Sequence, residues 1–186
     1  MDGEKLRDGI FALRTARFGK VTEGMVERLK RDTKGKSRFY DLDDVQHQHK
    51  IEVKFSVVQK KAETMITEET VLQCIEESVA ENRMVAFSDW KQHKFDCNIQ
   101  QVKRAEFDVL YYGLFFSDCV KIFRIESQDI KRNSEGGRIN YSDRQHKGNK
   151  GEGQFHITHR KLQVHLDHYF DKTLSFGELY DLLAGK

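Results

Sequence analysis

A carboxylate and an ammonium, those of Glu52 and Lys54, stand two residues apart in a stretch that is otherwise apolar. The apolar positions are Ile51, Val53 and Phe55. An alternation with a period of two predicts a β-strand, with the apolar side chains on one face and the two charged groups side by side on the other.

Asp41 precedes this strand in a second strand-like piece, residues 38–44. If the two pieces pair as a hairpin, Asp41 meets Glu52 and Lys54 at one edge of a sheet. Two carboxylates at close range repel each other unless a cation lies between them, and hard oxygen ligands with room for water suit Mg²⁺. With a lysine to orient or activate water, the set predicts metal-assisted hydrolysis of a phosphodiester. The alternative is a surface hairpin with alternating charges.

The rest of the chain must supply the elements that hold this hairpin. Apolar spacing and turn residues predict helices over 4–15 and 21–33 around a break at Gly19, and a further helix that opens at 67. Nearly continuous apolar runs predict a hairpin of central strands over residues 107–116 and 119–125. Helical spacing of apolar residues predicts C-terminal helices over residues 158–184. The pattern predicts one domain over 1–186 of the α/β (α+β) class, with a central mixed sheet flanked by helices.

Composition narrows the class of protein. The chain has 186 residues, a formal net charge of +2, and Lys, Arg, Asp and Glu in one third of its positions. No apolar run reaches the roughly 18 residues needed to span a bilayer, so no membrane partner is expected. Three cysteines without metal-ligand spacing are typical of reduced thiols in the cytoplasm. No Gly-rich phosphate loop is present, so no nucleotide cofactor is expected.

Histidines give weaker signals. His47 and His49 share a face of a strand but have no third ligand nearby in the sequence, so loop polarity or a DNA contact is the preferred interpretation over a zinc site. His165 and His168 are expected to be surface groups of a C-terminal helix.

Basic residues concentrate late in the chain. Residues 131–161 carry eight Lys and Arg against three Asp and Glu, a surplus that is ordinarily used to neutralise phosphates. Residues 133–154 also contain side chains of the types that read base edges. We therefore predict a DNA-recognition loop there, against the alternative of a solvated surface loop. The predicted contacts are Arg138, Asn140, Arg144, Gln145, His146, Lys147, Asn149 and Lys150.

The hairpin resembles the core of the PD-(D/E)XK nuclease superfamily, and most closely that of type II restriction endonucleases. The similarity lies in Tyr40-Asp41-Leu42 followed by Lys50-Ile51-Glu52-Val53-Lys54-Phe55-Ser56. Asp43 competes with Asp41 for the leading aspartate, and Tyr40 stands where the proline of the motif's name would be. Glu23, with Glu27 second, fits the helix glutamate that often supports the metal shell in this family. Residues 99–110 resemble the core strand that follows the hairpin.

The resemblance implies a restriction-endonuclease-like core in which Asp41, Glu52 and the Val53 carbonyl bind Mg²⁺. It also implies that Lys54 holds or deprotonates the attacking water. The expected activity is sequence-specific cleavage of double-stranded DNA by a homodimer. Two alternatives stay open: a Holliday-junction resolvase or DNA-repair nuclease on the same core, and a non-catalytic DNA-binding protein.

Overall fold

The computed structural model of the protein describes residues 2–30, 33–34, 37, 39–145 and 151–186. Short 3₁₀ turns lie at Phe87–Gln92, Ser127–Asp129 and Asn133–Glu135. The helices and strands in chain order are α1 (Gly3–Phe11), α2 (Thr15–Lys30), β1 (Thr33–Lys34), β2 (Leu42–Asp44), β3 (His49–Val57), α3 (Val71–Glu77), α4 (Ala80–Arg83), β4 (Asp96–Val102), β5 (Val109–Phe115), β6 (Cys119–Glu126), β7 (Gly153–Thr158), α5 (Leu162–His168), β8 (Phe170–Ser175) and α6 (Phe176–Ala184).

A mixed sheet organises these elements. Over the described ranges its strand order is β1-β2-β3-β5-β6-β8. β3 and β5 are parallel, and the other neighbours are antiparallel. β4 and β7 form a separate antiparallel pair. The predicted fold class, a mixed central sheet flanked by helices, is confirmed.

Apolar side chains cover the sheet on both faces. On one face, Ile10 of α1, Met25 of α2 and Leu179 of α6 belong to the same buried cluster as Ile51 and Val53 of β3. These helices therefore pack against the apolar face of the predicted catalytic strand.

The opposite face packs against the β4–β7 pair and α5. Ile99, Phe155 and Leu162 share a buried cluster with Leu110 and Tyr112 of β5. Every residue of β5 is buried, which confirms the prediction of a central strand covered on both sides. Glu52 and Lys54 project from this second face, so their side chains point towards the β4–β7 pair.

Three sequence-based expectations are wrong. The segment 158–184 is not wholly helical, because residues 170–175 form β8 and pair with β6. Gly19 does not break a helix: α2 continues through it, and a Cβ there would have no atom within 4 Å. His165 is not a surface group, since it is 1% exposed.

Large exposed apolar side chains cluster between β3 and α4. Six described ones fall within residues 65–79, namely Met65, Ile66, Val71, Leu72, Ile75 and Val79. In the part of the chain that the structure describes, no helix has the length and apolarity needed to cross a membrane.

Candidate active site

Asp41 is held at the end of the β2–β3 hairpin by the backbone of β3. The register pairs Leu42 with Ile51, which brings the preceding residue opposite Glu52. The Asp41 amide donates to the Ile51 carbonyl at 2.9 Å, and its Oδ2 accepts from the Val53 amide at 3.0 Å. Two backbone bonds thus orient this carboxylate.

Lys54 completes the cluster. Its Nζ forms an ion pair with Glu52 Oε1 and lies 3.9 Å from Asp41 Oδ2. The predicted convergence of Asp41, Glu52 and Lys54 is confirmed as geometry. The cause is local: residues 52 and 54 of a pleated strand share a face, and the hairpin brings Asp41 beside them.

Glu52 is the buried carboxylate of the cluster, and its pKa is raised. It is 8% exposed, and burial raises its pKa to about 7, because a charged carboxylate loses water there. Lys54 opposes this change, whereas the negative charges of Asp41 and Glu106 add to it. The carboxylate therefore lacks full compensation for its charge from the protein around it.

The Val53 carbonyl lies on the same side of β3 as Asp41. The N–H and C=O of one strand residue point to the same side, and the Val53 N–H points to Asp41. The Lys50 carbonyl, in contrast, accepts from Asp108 on the β5 side. The backbone direction thus brings the predicted carbonyl ligand to the edge that carries the two carboxylates.

Asp43 and Glu23 differ from Asp41 in the groups that their side chains contact. Asp43 is paired with Lys50 in the hairpin register, and its hydrogen bond with the Tyr40 hydroxyl raises the pKa of Tyr40. Glu23 forms an ion pair with Lys20 at 2.6 Å. That bond is the main cause of a raised pKa at Lys20, and the charge of Asp41 also raises it. Glu23 is therefore linked to the cluster through Lys20, and its supporting role stays a prediction.

The cluster opens into a polar cleft of about 440 Å³. One wall comes from the hairpin and the residues before it. The other wall comes from the end of β4, the turn after it, and the residue before β7. The lining side chains are Ser37, Phe39, Tyr40, Asp41, Glu52, Lys54, Gln101, Lys103, Glu106 and Glu152.

The second wall contributes groups that the sequence did not single out. Lys103 Nζ lies 3.7 Å from Glu106 Oε2 and 3.8 Å from Glu152 Oε1. Glu106 Oε2 is buried and has no hydrogen bond among the described residues. The alternation of Gln101, Val102 and Lys103 is a signal of the same kind as that around Glu52. It predicts a shared face but not which cleft that face lines.

The predicted recognition loop is hydrogen-bonded to the cleft wall opposite the hairpin. The Gln145 amide donates to the Glu152 carbonyl at 3.1 Å, and Gln145 Oε1 accepts from the Gln101 amide at 2.8 Å. Arg138, Asn140 and Arg144 are exposed. The predicted contacts His146, Lys147, Asn149 and Lys150 lie outside the described residues. DNA binding by this loop stays a prediction.

Histidines do not extend the cluster. His47 Nδ1 bonds to Asp44 Oδ2 at 2.8 Å and its ring stacks on that of His49. Within the described ranges, no group of three or more His, Cys, Asp or Glu side chains is arranged to hold a metal. A metal at this site would therefore depend on two carboxylates, a carbonyl and water.

Comparison of the chain with protein-family models, curated proteins and solved structures finds no match.

Proposed function

We propose that this protein is a Mg²⁺-dependent, sequence-specific endonuclease of double-stranded DNA, a phosphodiester hydrolase of the type II restriction class. One observation carries the proposal: Asp41, Glu52 and Lys54 converge in a polar cleft. The hairpin that brings them together has the motif on which the resemblance to PD-(D/E)XK nucleases depends.

The donor set suits a hard divalent cation. Asp41, Glu52 and the Val53 carbonyl offer only oxygen, and open space beside them leaves room for water ligands, as Mg²⁺ prefers. The raised pKa of Glu52 indicates that a negative charge at this position is poorly compensated, and a bound cation would compensate it. When bound, Mg²⁺ would acidify water and stabilise charge that develops on the phosphate.

Lys54 would position the attacking water. Its ammonium lies between the two carboxylates and has three N–H donors, so it can also donate a hydrogen bond to a water oxygen. In the reaction the water oxygen bonds to phosphorus and one P–O ester bond breaks. The water loses a proton and the departing oxygen gains one. Holding the water in line with the breaking bond lowers the entropic part of the barrier.

The remaining parts of the proposal follow from the substrate. A palindromic site presents two equivalent scissile bonds, so a homodimer with one cleft for each strand fits it. Exposed Arg144, next to the Gln145 that bonds to the cleft residue Gln101, supplies positive charge for the DNA backbone, and exposed Arg138 of the same predicted loop would add to it. An enzyme that restricts incoming DNA would work in the cytoplasm.

The test is digestion of unmethylated phage DNA by the purified protein with Mg²⁺, followed by sequencing of the fragment ends. We expect discrete fragments with a common end sequence. Lys54→Ala should bind the same DNA but cleave it at least about 100-fold more slowly, the usual effect of removing one group that stabilises a transition state.

Lys50→Ala is the matched control, because Lys50 is an exposed lysine on the same strand outside the cleft. It should cleave like wild type. Full turnover in Lys54→Ala would refute the catalytic role of Lys54. Cleavage of junctions or damaged sites alone would favour a resolvase or repair nuclease. Binding without any cleavage would favour a non-catalytic DNA-binding protein.

A further inference from the structure

β4 contains a bulge where it borders the cleft. Ile99 pairs with Phe155 and Val102 with Gly153, so that Gln100 and Gln101 on β4 lie opposite a single residue of β7. Such an extra residue disrupts the ladder locally and re-aims a side chain, and bulges of this kind are common beside active sites.

The bulge places Gln101 in an unfavourable backbone conformation. Its φ is +57°, in the left-handed region that glycine and asparagine tolerate better than residues with longer side chains. The conformation is held from both sides: Ile99 and Val102 are fully buried, and the Gln101 amide donates to Gln145 Oε1 at 2.8 Å. A strained residue that its surroundings hold in place is typical of functional sites.

The consequence is an available carboxamide in the cleft. Gln101 lines the same space as Asp41, Glu52 and Lys54, and its side chain is exposed. No hydrogen bond joins its carboxamide to another described residue.

A carboxamide here would help the cleft accept an anion. The cleft is lined by four carboxylates but only two lysines, and Lys103 is shared between Glu106 and Glu152. A phosphodiester therefore needs further donors on the wall opposite the hairpin. A side-chain amide supplies two N–H donors without a charge of its own.

From this geometry we infer that Gln101 is a substrate-binding residue whose NH₂ group donates to a non-bridging oxygen of the scissile phosphodiester. The β4 bulge holds it in reach of the atoms that react. The inference depends on the proposed endonuclease activity and adds a contact on the wall of the cleft opposite the metal-binding carboxylates.

The test compares Gln101→Ala and Gln101→Asn with Gln100→Ala under single-turnover conditions at saturating DNA. Gln100 is an exposed residue of the same type on the same strand outside the cleft, so its variant should cleave at the wild-type rate. Gln101→Ala should cleave about 100-fold more slowly, the loss expected when one donor to the reacting group is removed.

Gln101→Asn separates a catalytic contact from a merely structural role. Asparagine tolerates the left-handed backbone at least as well, so this variant should unfold at the wild-type temperature or above. Its carboxamide is one methylene shorter, so cleavage should remain slow. Wild-type rates in both Gln101 variants, with active wild-type enzyme, would overturn this inference alone. An inactive wild-type protein would overturn the proposed function, and this inference with it.

Discussion

Glu52→Gln is expected to make the protein more stable and inactive at the same time. Burial raises the pKa of Glu52 to about 7 from its ordinary value of 4.5. A raised carboxyl pKa means that the folded state binds this proton more tightly than the unfolded state. The stability that this proton adds is complete below pH 4.5 and is lost as the pH rises through 7.

The magnitude follows from that difference in pKa. Each pKa unit corresponds to 1.36 kcal/mol, so ionised Glu52 costs the fold about 3 kcal/mol near pH 8. The pKa of Glu52 already includes the attraction of Lys54. Glutamine resembles the protonated acid in shape and charge, so its variant should recover most of this free energy. In a domain of this size the gain corresponds to a rise in Tm of about 6 °C or more.

The assay is urea unfolding near pH 8 and near pH 4 in a chelating buffer, with Glu68→Gln as the control for an exposed glutamate. The Glu52 variant should be more stable only near pH 8. Added Mg²⁺ should then stabilise wild type more than the variant, because Glu52→Gln removes one carboxylate from the proposed metal site. If the variant is no more stable than wild type near pH 8, the ionised Glu52 carboxylate does not destabilise the fold. The raised pKa of Glu52 would then give no reason to expect a cation at this site.

Three further predictions concern the rest of the fold. Burial lowers the pKa of His165 to about 4 from 6.5, so the contribution of His165 to the free energy of unfolding should fall by about 3 kcal/mol as the pH drops from 6.5 to 4. Protonation of Glu52 acts in the opposite direction over the same range, so the effect of His165 is measured as the difference between wild type and variant at each pH. This pH dependence should be absent in His165→Gln and retained in the exposed-site variant His168→Gln. Arg144→Ala should weaken DNA binding and lower the salt slope of log K by about 1 in titrations at several salt concentrations; an unchanged slope would exclude a phosphate contact. Gly113→Ala should destabilise the protein by about 2 kcal/mol or more in urea unfolding, because its Cβ would lie 2.3 Å from a backbone oxygen, whereas Gly19→Ala in an open helix position should be neutral or stabilising.

The convergence of three charged groups on the hairpin was predictable because it is local. Asp41, Glu52 and Lys54 all lie within one hairpin, and strand periodicity alone places residues 52 and 54 on one face. The central hairpin of β5 and β6 was predictable for the same reason, since its strands are joined by a short turn and read as continuous apolar runs.

Other assignments failed where a distant partner decides the structure. Phe170–Ser175 becomes β8 because it pairs with β6, some fifty residues earlier in the chain. His165 lies on a short helix with polar neighbours, and its burial depends on contacts with Tyr112 and Phe155 on other elements. Apolar periodicity reports on residues that are close together in the chain, and it does not show which distant element a residue packs against.

The amino-acid order alone was enough to predict the fold class and the three charged groups of the hairpin, because helix and strand periodicity and a short hairpin connection depend on residues close together in the chain. The second wall of the cleft is determined only by the tertiary structure. Gln101 and Glu152 reach it because β4 pairs with β7 across some fifty residues of chain. The bulge that aims Gln101 inward is a property of that pairing, and local sequence preference would disfavour its backbone conformation.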